Sequence, residues 1–366
     1  MKVINISTLY ENPLPQLKSI NSMFPFFCEL PDGAILAAHQ MGEAFESVDG
    51  TSCVSVSKDG GLTWGKPYKM FNKSNESIPY SDCCKISKLG DGRLVALGYE
   101  FERIDPSLPL GNPETGGLLD NRVFISSSND NGQSWTPRTE VISTFTPNIE
   151  ASAPITVLQD GSWATPVTNF PKWDGSITHK RHGRLLRSYD NGATWSDDAV
   201  CMEFDGNVTC YEMRICQLEN GSIVVIGWNE DAETGERFDN HYTISTNNGK
   251  TFSCPISTGI RGQASSVCAI GGNKLLALHA VRRDTDRPGI YACIVDLSGG
   301  EWNIVETEVI WAPPSPIIKN NKFAETFSFL RFGQPGAILL NDGNALVSFW
   351  LCESGQYMTK CLRLEL

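Results

Sequence analysis

The 366-residue chain has no apolar run long enough to span a bilayer, and its first residues lack the basic stretch, apolar core and small-residue cleavage site of a secretion signal. It has no basic cluster either. Lys and Arg number 30 against 42 Asp and Glu, a formal net charge of −12, which disfavours nucleic acid and anionic membrane surfaces as partners. No Cys-x-x-Cys or Cys/His spacing marks a metal site, so neither metal nor cofactor is expected. Twelve cysteines without a secretion signal do not read as a disulfide scaffold. Cys28, Cys53, Cys216, Cys268 and Cys293 fall inside apolar stretches, where a free thiol behaves as a small hydrophobe. A cytoplasmic location is the expectation. Long helical periodicity is also missing. Apolar residues alternate or run short, as in Ser222-Ile223-Val224-Val225-Ile226, which predicts an all-β chain.

What the chain does have is repetition. Six times an apolar stretch meets a tight turn and a second apolar stretch follows: Pro31-Asp32-Gly33, Gly90-Asp91-Gly92, Gln159-Asp160-Gly161, Glu219-Asn220-Gly221, Gly271-Gly272-Asn273 and Asn341-Asp342-Gly343. The residues before these turns, Leu30, Leu89, Leu158, Leu218, Ile270 and Leu340, are 59, 69, 60, 52 and 70 residues apart. Asp-Gly and Asn-Gly between apolar runs signal hairpins, because their central residues tolerate positive φ. A hairpin recurring six times at blade length predicts a six-bladed β-propeller of four-stranded antiparallel blades. The steps leave no linker, so residues 1–366 are expected to form one domain. Val3–Thr8 and Met358–Leu364 both read as strands, and the first is expected to close the last blade as its outer strand.

A second phrase lies between four of the hairpins: Ser57-Lys58-Asp59-Gly60-Gly61-Leu62-Thr63-Trp64, then Ser128–Trp135, Ser188–Trp195 and a weaker Ser245–Phe252. In Ser-x-Asp-x-Gly-x-Thr-Trp the Asp accepts from backbone N–H groups, the Gly supplies positive φ and the aromatic packs the turn on the sheet. This is the Asp-box, and over nearly its whole length the chain resembles the sialidase-like six-bladed propellers. The boxes read as structural.

The resemblance implies a pocket on the propeller axis. Six residues before each marker position stand Phe24, Cys83, Ser152, Glu212, Ala264 and Gln334; seven after each turn stand Gln40, Tyr99, Thr168, Trp228, Ala280 and Trp350. These two rings are expected to face it. Glu212, in Thr209-Cys210-Tyr211-Glu212-Met213-Arg214, resembles the Glu that polarises a nucleophilic Tyr in sialidases. That Tyr would fall near Gln334. The three Arg that clamp the substrate carboxylate would fall at Phe24, at Trp228 and, through Arg287-Pro288-Gly289-Ile290-Tyr291, at Arg287. The acid/base Asp would fall in the loop holding Glu46 and Asp49.

With the nucleophile and two clamp positions replaced, the resemblance implies a glycosidase acting on a small glycan or sugar acid other than ordinary sialic acid. Glu212 with Glu46 or Asp49 would be its carboxylate pair. Arg287, Arg283, His279, Gln334, Gln263, Tyr99, Trp228, Glu150 and Asp82 are the expected substrate contacts, and Arg282, Arg283 and Arg287 an anion site drawn from one blade. Other readings stay open: a propeller that binds a glycan without cleaving it, a true exo-sialidase with a rebuilt carboxylate site, and a lyase with Tyr99 or His279 as base. The expected partner is a small saccharide. The oligomeric state is left open.

Overall fold

The computed structural model describes residues 1–74, 76–314 and 331–366. Among these there is no helix; six antiparallel sheets stand in a ring, a β-propeller of six blades. The first blade runs β2 (Asn21–Glu29), β3 (Ile35–Gly42), β4 (Thr51–Ser57), β5 (Tyr68–Lys69), and the second β6 (Tyr80–Lys88), β7 (Leu94–Glu102), β8 (Asn121–Ser128), β9 (Thr139–Val141). In the third the inner edge is broken into β10 (Ile149–Glu150) and β11 (Thr156–Val157), both paired with β12 (Trp163–Asn169), before β13 (His182–Ser188) and β14 (Ser196–Glu203). The fourth is β15 (Tyr211–Gln217), β16 (Ile223–Trp228), β17 (His241–Ser245), β18 (Ile256–Ser257). The fifth is β19 (Ser265–Gly271), β20 (Lys274–Val281), β21 (Gly289–Asp296), β22 (Asn303–Trp311). The sixth is β23 (Phe332–Leu339), β24 (Ala345–Glu353) and β25 (Gln356–Glu365), with β1 (Lys2–Tyr10) as its fourth strand. The N-terminal strand thus closes the last blade as expected, and its ladder runs from Lys2 opposite Glu365 to Tyr10 opposite Thr359.

First strands of neighbouring blades touch one another around the axis: β2 meets β6 and β23, and β19 meets β15 and β23. The core is correspondingly divided into six parts, one in each gap between blades. Strand parity decides which gap a residue fills. Leu94 and Ala96 enter the gap toward the first blade, while Val95 and Leu97 enter the gap toward the third. Both faces of a central strand are therefore buried, which explains its continuous apolar sequence.

The six hairpins form where the sequence predicts them, but not as two-residue turns with both central residues at positive φ. Five are three-residue loops. In the first, Leu30 N–H donates to Ala34 O at 2.8 Å, Gly33 alone takes positive φ (81°), and Asp32 Oδ1 accepts from Ala34 N–H at 3.1 Å. Asp91, Asp160, Asn220 and Asp342 repeat that contact. The Asp or Asn is thus selected for its side-chain acceptor.

Each Asp-box closes on itself. Asp59 accepts from Ser57 Oγ at 2.7 Å, Thr63 N–H at 2.9 Å and Thr63 Oγ at 2.5 Å, and these bonds, the Thr63 hydroxyl first, hold its carboxyl down to about 2. The box then packs on the preceding blade. Gly132, at φ 84°, comes so close to Leu36 that a Cβ would lie 2.6 Å from a Leu36 methyl. The boxes follow the third strands at the same end as the hairpin turns, leaving the opposite end of the axis to the site.

Candidate active site in the axial pocket

An axial pocket of about 240 Å³ opens at that end, lined from all six blades. Phe24, Cys83, Glu212 and Gln334 of the first predicted ring line it, as do Gln40, Tyr99, Trp228 and Trp350 of the second. Ser152, Thr168, Ala264 and Ala280 do not; their places are taken by neighbours, Glu150, Phe170, Gln263 and Arg282.

Three of these side chains reach the pocket by one device. Phe24, Glu212 and Gln334 sit at φ 54°, 47° and 44°, a region non-glycine residues seldom occupy. Each marks an interruption of register, between Met23 and Phe26, Tyr211 and Arg214, and Gly333 and Gly336. These are β-bulges, which bend a strand and re-aim a side chain. Pro25 and Pro335 follow two of them, where a missing N–H costs no ladder bond.

At the centre lies Glu212. Its Oε2 accepts from Trp228 Nε1–H at 2.9 Å, and its Oε1 from Gln334 Nε2–H. A carboxylate, which only accepts, suits two N–H donors. Cations stand around it, Lys85 and Arg214 buried and Arg282 half-buried in the pocket wall. Lys85 Nζ donates to Phe24 O at 2.6 Å and to Gln334 Oε1 at 3.4 Å, and burial lowers its pKa to about 8. Arg214 Nη1 donates to Ser152 Oγ at 2.9 Å and to Glu212 O at 3.2 Å. Arg282 donates to Gln263 Oε1 and to Phe332 O, and burial brings its guanidinium down to about 9.

Glu150 is 2% exposed, and burial pushes its carboxyl up to about 7, with the nearby Glu212 charge adding to the rise and Ser152 and Arg214 opposing it. Ser152 N–H donates to it at 2.9 Å. Glu46 also lines the pocket and is raised by burial, but its Oε2 is held by Leu110 N–H at 3.1 Å. That bond secures a loop from the second blade over the pocket. Asn112 Nδ2 and Thr115 Oγ in the same loop donate to Trp173 O at 3.0 and 2.7 Å. A Cβ on Gly117 would lie 1.8 Å from Lys172 O, so only glycine allows that approach. Aromatic rings make much of the wall: Tyr211 lies 5.3 Å from Trp228 and Phe45 lies 5.5 Å from Trp350, centroid to centroid.

Four expected site residues are elsewhere. Asp49 is exposed and accepts from Glu43 N–H at 3.0 Å, shaping its own loop. Asp82, one residue from Cys83, has the opposite parity; it is buried, pairs with Lys73 and accepts from Ser52 N–H at 2.8 Å. His279, one residue from Ala280, likewise turns into a blade gap, where it shares a 2.8 Å hydrogen bond with Asn240 and burial lowers its pKa to about 3. Arg287 lies exposed in its loop, so the guanidinium groups the fifth blade offers are Arg282 and Arg283. A lyase base is disfavoured by the same facts: His279 is enclosed, and burial holds the Tyr99 hydroxyl well above its ordinary pKa.

Lys85 and Arg214 were not among the expected site residues. Parity could have found Lys85, two residues beyond Cys83 on the same strand face. Among the described residues no group of three or more His, Cys, Asp or Glu is arranged to hold a metal. The arrangement thus offers one carboxylate fixed by N–H donors, a second that holds a proton near neutral pH, and an aromatic enclosure.

Residues 112–314 match the family model described as a BNR repeat-like domain. A protein of unknown function from Dyadobacter fermentans is similar in structure with a TM-score of 0.75 and 18% identity, over 100% of this chain and 99% of that one. The intramolecular trans-sialidase from Ruminococcus gnavus, in complex with oseltamivir carboxylate, has a TM-score of 0.62 and 13% identity over 94% of each chain. The NanB sialidase from Streptococcus pneumoniae has a TM-score of 0.64 and 12% identity, over 99% of this chain and 70% of that one. At these identities the likeness is one of fold. No curated protein matches the sequence.

Proposed function

This chain belongs to the BNR repeat-like family, and from that premise we propose that it is a glycoside hydrolase acting on a small saccharide held in the axial pocket. The observation that carries the reading is the placing of Glu212 and Glu150 on one pocket with different environments. A carboxyl that burial keeps protonated near neutral pH, beside a second held by N–H donors, suits the cleavage of a glycosidic bond. Glu150 gives its proton to the leaving oxygen as the bond to the anomeric carbon breaks. Glu212 either attacks that carbon, forming an ester that water then cleaves, or takes the proton from a water that attacks in its place. In the direct route Glu150 takes back a proton from the water that cleaves the ester, so both groups return to their starting state; in the other, Glu212 is left with the water's proton and Glu150 without one, and exchange with solvent resets the pair. Either way one water is consumed.

Glu46, the acid expected from the sequence, is the alternative: like Glu150 it has a carboxyl raised by burial and one oxygen held by a backbone N–H, but that bond ties it to the loop over the pocket. The replacement of clamp positions by Phe24 and Trp228 weighs against ordinary sialic acid as the substrate, since bidentate Arg contacts are the strong means of holding a carboxylate. A binding role without cleavage is the second reading, favoured by the engagement of both Glu212 oxygens.

The test is hydrolysis of a panel of aryl glycosides and short oligosaccharides, sialosides and uronides included, by the protein and by Glu212→Gln. Release of the sugar that the variant loses supports hydrolysis at this carboxylate. Saccharide binding by calorimetry with no release from any substrate supports the binding reading instead. Inversion or retention in the product, read by proton NMR, then separates the water-mediated from the direct route.

A further inference from the structure

Gln334 faces two groups of opposite character. Its Nε2–H donates to Glu212 Oε1, while its Oε1 accepts from Lys85 Nζ at 3.4 Å. An amide has one oxygen end and one nitrogen end, and only this orientation satisfies both neighbours. Rotated by half a turn, it would set its oxygen against the Glu212 carboxylate and its NH2 against the ammonium. Lys85 is itself fixed, because its Nζ also donates to Phe24 O at 2.6 Å, and the residue is 3% exposed.

The three side chains come from three blades: Lys85 from β6, Gln334 from β23 and Glu212 from β15. Two of them sit on bulges, whose backbone fixes where the side chain starts but not how its terminal amide is turned. Something else must set that rotation, and among the described residues the charged group bonded to the amide oxygen is Lys85.

We infer that Lys85 is the positioning residue of the site: its ammonium holds the Gln334 amide with the N–H end toward Glu212, and so fixes that carboxylate from a distance. Lys85 is not among the residues lining the pocket, so it acts on the site through Gln334. Burial with a lowered pKa of about 8 means that the hold weakens when the ammonium loses its proton in mildly alkaline solution. The groups that bear on that proton are Cys83 and Cys84 on its own strand and Arg214 and Glu212 on β15. Arg214 disfavours the charge and Glu212 favours it, while both cysteines have thiols raised by burial.

The experiment reads the Gln334 side-chain amide by 15N–1H NMR in the intact protein, between pH 6 and 9.5, beside Lys85→Met. In the unaltered protein the Nε2–H signals are expected to be shifted and slow to exchange at pH 6, and to move together through a single step near pH 8. In Lys85→Met they are expected to take the positions of an unbonded amide at every pH. Signals that are the same with and without Lys85, or that show no step, overturn the inference. If Lys85→Met does not fold, the titration of the unaltered protein decides alone.

The kinetic arm rests on the hydrolase reading. There Lys85→Met is expected to lower kcat about tenfold, the fold-change of one charged hydrogen bond, with KM little changed. Lys85→Met and Gln334→Met should cost no more together than the larger of the two alone, because one acts through the other. Additive losses overturn the inference. A protein that hydrolyses nothing removes the kinetic arm and leaves the NMR result to stand or fall by itself.

Discussion

The indole N–H of Trp228 points at Oε2 of Glu212 from 2.9 Å, across neighbouring strands of one blade. The two belong to different rings of the repeat, one six residues before a marker Leu and one seven after a turn Gly. Trp228→Phe would keep an aromatic ring near Tyr211 and delete the donor together with the pyrrole ring that carries it. We expect kcat to fall by at least about tenfold with KM within a factor of three, since a hydrogen bond to a charged group is worth ~1.5–3 kcal/mol. Steady-state kinetics on the substrate identified by the panel checks this. An unchanged kcat would show that the bond does not orient the carboxylate.

The buried Glu150 carboxyl links pH to stability and, on the proposed reading, to turnover. Its carboxyl is raised by burial from its ordinary 4.5 to about 7, so the folded chain binds a proton there that the unfolded chain has released. Stability therefore falls as pH rises from 4.5 to 7, and the whole penalty, on the order of 3 kcal/mol, is present above pH 7. Glu150→Gln should be more stable than the unaltered protein by up to that amount at pH 8 and about equal to it at pH 4. Denaturant unfolding at both pH values checks the sign. On the proposed hydrolase reading, turnover of the unaltered protein should decline as pH passes about 7, and the variant should lose it throughout.

Asp49 and Arg287 were expected at the site and lie outside it. Asp49→Asn and Arg287→Ala should leave kcat and KM within about twofold, as surface changes usually do. A larger loss in either would place its loop nearer the substrate than the apo geometry does.

Asp130 closes the second Asp-box, accepting from Ser134 N–H at 2.9 Å and Ser128 Oγ at 2.7 Å. Asp130→Ala is expected to lower Tm by roughly 2–4 °C. Because this box lies at the far end of the axis, KM should not change. A shift in KM without a shift in Tm would contradict its structural role.

The blade count and eight of the twelve ring positions were legible because both follow from the spacing of residues about a turn, and strand period 2 carries that spacing to the pocket. The same parity explains the misses. Asp82 and His279 lie one residue off a ring position and so enter the blade gaps. The bulges at Phe24, Glu212 and Gln334 are invisible to a count, since they insert a residue without a turn signal. Which loop guanidinium faces the pocket, Arg282 or Arg287, depends on the path of the fifth-blade loop, which no local pattern encodes. Glu46 was found by its loop, but its bond to Leu110 joins segments 64 residues apart.

The closure of the sixth blade also has a mechanical side. Lys2 faces Glu365 at one end of the β1–β25 ladder, and Tyr10 faces Thr359 at the other. Tension applied between residues 2 and 365 therefore loads the ladder one pair at a time, like a zip pulled from its open end. Pulling instead between residues 10 and 365 loads every pair at once in shear. The same seam should yield at low force in the first geometry and resist in the second, and single-molecule pulling from these two anchor pairs would show the difference. A ring held shut by six packed gaps thus carries one direction along which it parts like a clasp.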